Sequence, residues 1–185
     1  MTRRPTSRLL TGFPPIARPD AHMLILGSMP GDASLAANQY YAHPRNAFWP
    51  IMASLLGWKQ LPDYESRTVA LCEAGIALWD VVHGCRRIGS LDSAIDPATL
   101  RCNDFAGFYR AHRRIELVAF NGGMADRLYR TRVLPLGGAG SSLPLLRLPS
   151  TSPAHAGRTL AAKTADWQAA LGPMLGPLSG VRHRH

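Results

Sequence analysis

Four short apolar runs, each cut off by turn-forming residues, constrain this chain more than any other feature. They are residues 22–27 (HMLILG), 76–82 (IALWDVV), 115–120 (IELVAF) and 145–148 (LLRL). Each is too short for a buried helix and reads as a strand covered on both faces. Segments with helical spacing lie between them, at 46–56, 62–74, 96–112 and 121–130, and a fifth, 158–171, closes the chain. Pro50 has to occupy the first turn of the first of these. Pro62-Asp63-Tyr64-Glu65 and Asp96-Pro97 are helix-start signals. In the closing segment Leu160, Ala161, Thr164, Trp167 and Leu171 share one stripe. Strand–helix alternation of this kind predicts an α/β fold, with a mostly parallel sheet between helical layers and right-handed crossovers.

Ligands of such sheets bind beyond the carboxyl ends of the strands. The segments that follow the predicted strands are GSMPG, DVVHGCR, NGG and PSTSPAH, and these are the most unusual stretches of the chain. Gly27–Gly31 allows a tight turn and close approach of backbone to a ligand. It is neither a Walker A loop nor a dinucleotide fingerprint, because the Lys-Ser/Thr and the third glycine are missing. Tyr40–Trp49 (YYAHPRNAFW) puts stacking faces and an Asn with both donor and acceptor around a proline. Phe48 and Trp49 adjoin an apolar helix and read first as core, with Phe48 the alternative stacking face. Tyr41 reads equally as packing or stacking. The hydroxyls of Ser150, Thr151 and Ser152, with Pro153, form a stiff loop that reads as suited to phosphate or, alternatively, as an ordinary Ser/Pro loop capping the closing helix. His155 beside it reads as a donor to a phosphate or a base, or as a proton-transfer group. Asp80 ends the second run and reads either as an acid that polarises water or as a cap.

The composition narrows the partners. The chain has 185 residues, one domain's worth, with 21 Lys+Arg against 12 Asp+Glu and a formal net charge of +9. Only Lys59 and Lys163 are lysines. Because charged residues are few overall, the basic excess suits a folded protein with a biased surface and a polyanion partner. Cys72, Cys85 and Cys102 show no CxxC spacing, so neither a disulfide framework, a structural zinc nor an iron–sulfur cluster is expected. Free thiols suit a cytoplasm. No run is long enough to span a membrane. Residues 1–11 and 176–185 read as basic flexible tails flanking a single domain at 12–175.

Taken together, Gly27–Gly31, Tyr40–Trp49, residues 75–81 (GIALWDV), residues 89–95 (GSLDSAI), Phe120-Asn121-Gly122 and residues 148–156 (LPSTSPAHA) resemble, in order, the hypoxanthine-DNA glycosylase branch of the uracil-DNA glycosylase superfamily. The resemblance spans residues 12–171. It implies a three-layer α/β/α fold with a central parallel four-stranded sheet. It also implies a monofunctional DNA glycosylase of base excision repair. Such an enzyme flips a deaminated base, hypoxanthine first and then xanthine or uracil, and hydrolyses it away to leave an abasic site.

By the same resemblance Asn46 is the catalytic residue, because Met29 stands where relatives carry a water-positioning Asn. Gly27, Ser28, Met29, Pro30, Tyr41, Phe48 and Asn121 would contact the base. Asn121 alternatively caps the following helix. Gly31, Arg45, Ser150, Thr151, Ser152, Pro153, His155 and Arg158 would contact DNA, and His155 stands where the branch carries Asn. Arg86, Arg87 and Arg147 are further phosphate candidates. No metal and no cofactor are implied. The expected partner is lesion-containing DNA, bound by a monomer in a bacterial cytosol or nucleoid. The alternative is a non-catalytic nucleic-acid binder on the same fold.

Overall fold

The four apolar runs pair into one parallel sheet. The computed structural model describes residues 8–175. In chain order its elements are β1 (Arg8–Thr11), β2 (Met23–Gly27), α1 (Asp32–Ala37), α2 (Phe48–Leu55), α3 (Tyr64–Glu73), β3 (Ile76–Asp80) and β4 (Val82–Arg87), then β5 (Arg101–Cys102), α4 (Phe105–Ala111), β6 (Leu117–Asn121), α5 (Gly123–Leu128), β7 (Leu145–Leu148) and α6 (Leu160–Leu175). The four-stranded sheet has the order β3-β2-β6-β7. All its pairs are parallel, with Gly27 opposite Asp80, Leu26 opposite Phe120 and Asn121 opposite Leu148. Every residue of β2 and β3 is buried, so both faces of the sheet are covered. Trp167, Tyr129, Phe48 and Phe120 are among the largest fully buried side chains. The fold is the α/β architecture expected from the alternation.

The chain leaves β2 toward β3 on one side and later places β6 on the other. The carboxyl ends of β2 and β6 therefore border the point where the winding direction reverses, and a crevice opens there in sheets of this type.

A second sheet, antiparallel and ordered β1-β4-β5, was not anticipated. Its strands carry arginines and follow no apolar run, so no periodicity announces them. β1 pairs Arg8 with Arg87 and Thr11 with Gly84, which removes residues 8–11 from the tail assigned to 1–11. The remainder of that tail and the tail at 176–185 lie outside the described residues. The run at 76–82 is also split, because β3 ends at Asp80 and Val82 begins β4.

The helix expected over 96–112 is corrected as well. Asp96 uses its carboxylate in a turn, accepting from the Ala98 N–H at 3.0 Å, and Arg101–Cys102 then pairs with β4. The true helix, α4, starts after Asp104, whose carboxylate accepts from the Gly107 N–H at 2.9 Å. The segment at 121–130 contains α5 and continues into a π-turn over Tyr129–Val133. Pro50 sits in the first turn of α2. Among the described residues no helix is long and apolar enough to cross a membrane.

Candidate active site

A cleft of about 880 Å³ opens at the carboxyl ends of the parallel strands. Gly27, Asp80 and Asn121 come from strand ends and Arg147 from within β7. The first turn of α1 and one side of α5 contribute, and the loops that follow β2, α1, β4 and β7 complete its walls.

The floor is set by Gly27. A Cβ there would lie 2.3 Å from Asp80 Oδ1 and 2.8 Å from Tyr41 Oη. Only glycine lets this carboxyl and this phenol close over the strand end. Ser28 donates its hydroxyl to the Asp92 carboxylate, 2.7 Å from each oxygen, so its side chain positions Asp92. The Pro30 carbonyl accepts from Arg87 Nη2 at 2.6 Å, and the Gly89 carbonyl accepts from Nε at 2.6 Å. Arg87 is 2% exposed. That corrects the expectation of a phosphate contact: it fastens the GSMPG turn to β4. Met29 is almost fully buried and lines the cleft with Pro30 and Gly31.

The second wall is the Tyr40–Trp49 segment. Tyr40 is core: it is buried, and its carbonyl accepts from Trp49 Nε1 at 2.9 Å. Tyr41 has a backbone φ of 55°, a left-handed conformation that costs a β-carbon-bearing residue on the order of 1 kcal/mol. It turns the ring onto Phe48, with centroids 4.1 Å apart and planes 24° from parallel. Phe48 is wholly buried and does not line the cleft, which corrects its assignment to the base. It backs the Tyr41 ring instead. Asn46 lines the cleft, and its Oδ1 accepts from the Phe48 N–H at 3.0 Å, which fixes the amide at the head of α2. His43 also lines the cleft. Arg45 is exposed beside it without lining it.

The third wall joins β6 to the loop after β7. Asn121 donates from Nδ2 to Thr151 Oγ1 and accepts from the Thr151 N–H, both at 2.8 Å. The Thr151 carbonyl accepts from the Ala47 N–H at 3.0 Å. Thr151 is 1% exposed, so it holds three segments together and offers no hydroxyl to a phosphate. Gly122, at φ 100°, leaves room for Ser150, whose Cβ would lie 2.9 Å from an added Cβ. The hydroxyls of Ser150 and Ser152 accept from the N–H groups of Ser152 and Ala154 at 3.2 Å, which keeps the loop taut. Ser150, Ser152, Pro153 and His155 line the cleft. Lys163 donates to the His155 carbonyl at 2.9 Å, and Trp167 Nε1 donates to the Pro149 carbonyl at 3.0 Å. Helix α6 thus anchors the loop from behind.

The charges are unevenly spread. Burial pushes the Asp80 carboxyl up to about 8; the neighbouring Asp92 adds to the rise and Arg87 opposes it. Burial also raises Asp92, against the hydrogen bond from Ser28. The Tyr41 phenol is pushed well above its ordinary value by burial, with Asp80 adding to it, and stays neutral. At the rim, exposed Arg127 and Arg147 line the cleft. Arg158 does not: it borders a neighbouring depression and pairs with Asp166 at 2.5 Å. Arg86 is exposed and lies outside the cleft. Asp92, Arg127 and the structural role of Arg87 escaped the sequence reading. Their only local signal is that Asp92 falls in the GSLDSAI block.

The Uracil DNA glycosylase superfamily model matches residues 14–171. A hypoxanthine DNA glycosylase of Methanosarcina barkeri is 39% identical over 112 residues, which is 60% of this chain and 70% of that protein. A hypoxanthine DNA glycosylase of Methanosarcina acetivorans is 37% identical over 134 residues, 67% of this chain and 83% of that protein. Among solved structures, a solution NMR structure of a Methanosarcina acetivorans protein, described as a candidate uracil DNA glycosylase, superposes with a TM-score of 0.75. It is 32% identical, over 90% of this chain and 99% of that one.

Proposed function

For a chain that belongs to the uracil DNA glycosylase superfamily, we propose removal of hypoxanthine from DNA by hydrolysis of its N-glycosidic bond, leaving an abasic site. The chain is a DNA N-glycosylase. The substrate base and the residue roles are the content of the proposal. The observation that carries it is the convergence, in one cleft, of the Gly27–Gly31 turn, the Phe48-backed face of Tyr41, and Asn46.

The chemistry asks little of a protein beyond placement. The sugar passes through an oxocarbenium-like state, and the base leaves with negative charge. The enzyme has to receive the flipped nucleotide, hold the base, and hold a water at C1′. The Tyr41 ring offers the base a stacking face. Asn46, with one lone pair of Oδ1 already given to the Phe48 N–H, has the remaining lone pair and its amide hydrogens for the attacking water. Arg127, Arg147 and the loop of Ser150 to His155 suit phosphates on either side of the flipped nucleotide. No lysine lines the cleft, and this supports hydrolysis over an amine-dependent strand-nicking route.

The test is an oligonucleotide carrying one hypoxanthine, incubated with protein and then treated with alkali. Cleavage at the lesion is expected, with xanthine and uracil strands run beside it. Absence of alkali-sensitive cleavage on every strand would sink the reading. Asn46→Ala is expected to lower the single-turnover rate by roughly 10²–10³, the usual loss for a placed catalytic amide.

A further inference from the structure

The glycosylase reading leaves Asp80 without a task, although it occupies the floor of the cleft. Its side chain closes over Gly27 at the end of β3, and the residue is 3% exposed. Its Oδ2 is buried without a hydrogen-bond partner, and so is the Tyr41 hydroxyl that crowds the same point above Gly27. The charged and titratable groups facing it are known from each neighbouring element. Tyr40 and Tyr41 come from the loop after α1, Arg87 from β4, and Asp92 from the turn after β4, with His155 from the loop after β7 acting on Asp92. No ion pair joins Arg87 to Asp80: its Nε and Nη2 are given to the carbonyls of Gly89 and Pro30, its Nη1 is itself buried without a partner, and the carboxylate it approaches is Asp32, 3.7 Å from Nη2.

An unpaired carboxylate in such a place is costly, and the group escapes the cost by keeping its proton. A neutral carboxylic acid carries a donor hydrogen. Buried donors rarely go unpaired, and an exception calls for a ligand or a function that supplies the missing acceptor.

We propose that Asp80, as a neutral carboxylic acid, donates a hydrogen bond to an acceptor on the edge of the flipped base and steadies the negative charge that gathers there as the N-glycosidic bond breaks. The inference rests on the glycosylase reading and deepens it. The bond tightens as charge grows on the base, so it favours the transition state over the bound substrate. The Tyr41 hydroxyl is a second neutral donor beside it, and the pair forms a small anion-stabilising nook over Gly27. The substrate class that fits is a base presenting an oxygen or a bare ring nitrogen to the floor, as the lactam purines do. Once ionised, Asp80 is an acceptor only and repels that edge.

The test compares single-turnover release of hypoxanthine by the wild type, Asp80→Asn and Asp80→Ala between pH 6 and 9.5. Asp80→Asn keeps a donor and cannot ionise, so it is expected within about ten-fold of the wild type at pH 7. Asp80→Ala is expected to fall by roughly 10²–10³, the loss typical of one such donor. The decisive readout is the ratio of wild-type to Asp80→Asn rates. It should drop at least about five-fold as pH rises from 7 to 9.5, because the wild type loses its donor and the variant does not. The substrate's own titration is common to both and cancels. A ratio that stays constant, or a folded Asp80→Ala with the full rate, overturns the proposal. If Asp80→Ala does not fold, the ratio alone decides. A wild type that releases no base from any lesion strand overturns the glycosylase reading and this inference with it. An active wild type with a constant ratio overturns this inference alone.

Discussion

Thr151 and Asp80 show how single side chains shape the cleft. Thr151 uses its N–H, its hydroxyl and its carbonyl on Asn121 and Ala47. Thr151→Val keeps the shape and removes the hydroxyl that accepts from Asn121, leaving a part-buried amide donor at the cleft wall unpaired. The expected cost is about 1 kcal/mol in urea denaturation, the usual net worth of one such hydrogen bond. For Asp80 the folded chain binds a proton more tightly than the unfolded one, whose carboxyl titrates near 3.8. Stability contributed by this group is therefore complete below about pH 4 and is lost as pH rises to about 8, where the folded carboxyl ionises. Asp80→Asn should gain stability relative to the wild type as pH rises from 5 to 9, and denaturant midpoints across that range measure it. The placement of Asn46, Tyr41 and Gly27 at one cleft was legible, because each lies in or just after a segment that ends a predicted strand or precedes a predicted helix. Phe48 and Arg87 were misassigned because the sequence names a ring or a guanidinium without saying which way it faces.

The parallel strands were legible as elements because burial on both faces requires continuous apolar runs, and β2, β3 and β6 are such runs. The antiparallel strands were not. β4 reads VHGCRR, with exposed His83 and Arg86 alternating with buried positions over too few residues to register as a pattern. The helix-start signal at Asp96 was consumed by a turn, and Arg86 N–H donates to Thr99 Oγ1 at 2.8 Å to hold that turn against β4. Helix α6 was foreseen, but its stripe only in part: Trp167 and Leu171 are buried, whereas Leu160 and Ala161 are exposed and Lys163 takes the inner face. Trp167 is fully buried, meets Phe48 edge-on at 6.1 Å and donates to the Pro149 carbonyl. It therefore supports both the stacking wall and the loop after β7. Trp167→Ala should cost ~3–5 kcal/mol, the usual range for a deleted core aromatic. Thermal unfolding measures that loss, and hydrogen exchange should speed up over residues 149–156.

The +9 charge of the whole molecule first pointed only to a polyanion. Arg127 and Arg147 at the rim, with Arg45 exposed nearby, give it a location. If three to four phosphates are neutralised, log–log plots of DNA affinity against salt should have a slope of roughly −3 to −4. Arg127→Ala and Arg147→Ala should each flatten the slope by about 0.9 and weaken all sequences alike, as fluorescence anisotropy titrations would show. An unchanged slope in both variants would place the DNA elsewhere.

The triple attachment of Thr151 also reaches beyond stability. It bolts the wall bearing Asn46 and Tyr41 to the walls built from β6 and from the loop after β7. Walls tied at one residue resist being spread apart, since parting them breaks all three hydrogen bonds together. On the proposed glycosylase reading, the work of distortion then falls on the nucleic acid, which has to unstack and rotate a nucleotide into the cleft. Deaminated bases pair poorly and give up that stacking most cheaply. The rigidity of one buried threonine would in this way become a filter, in which lesions are sorted by how readily the helix surrenders them before any side chain reads their edges.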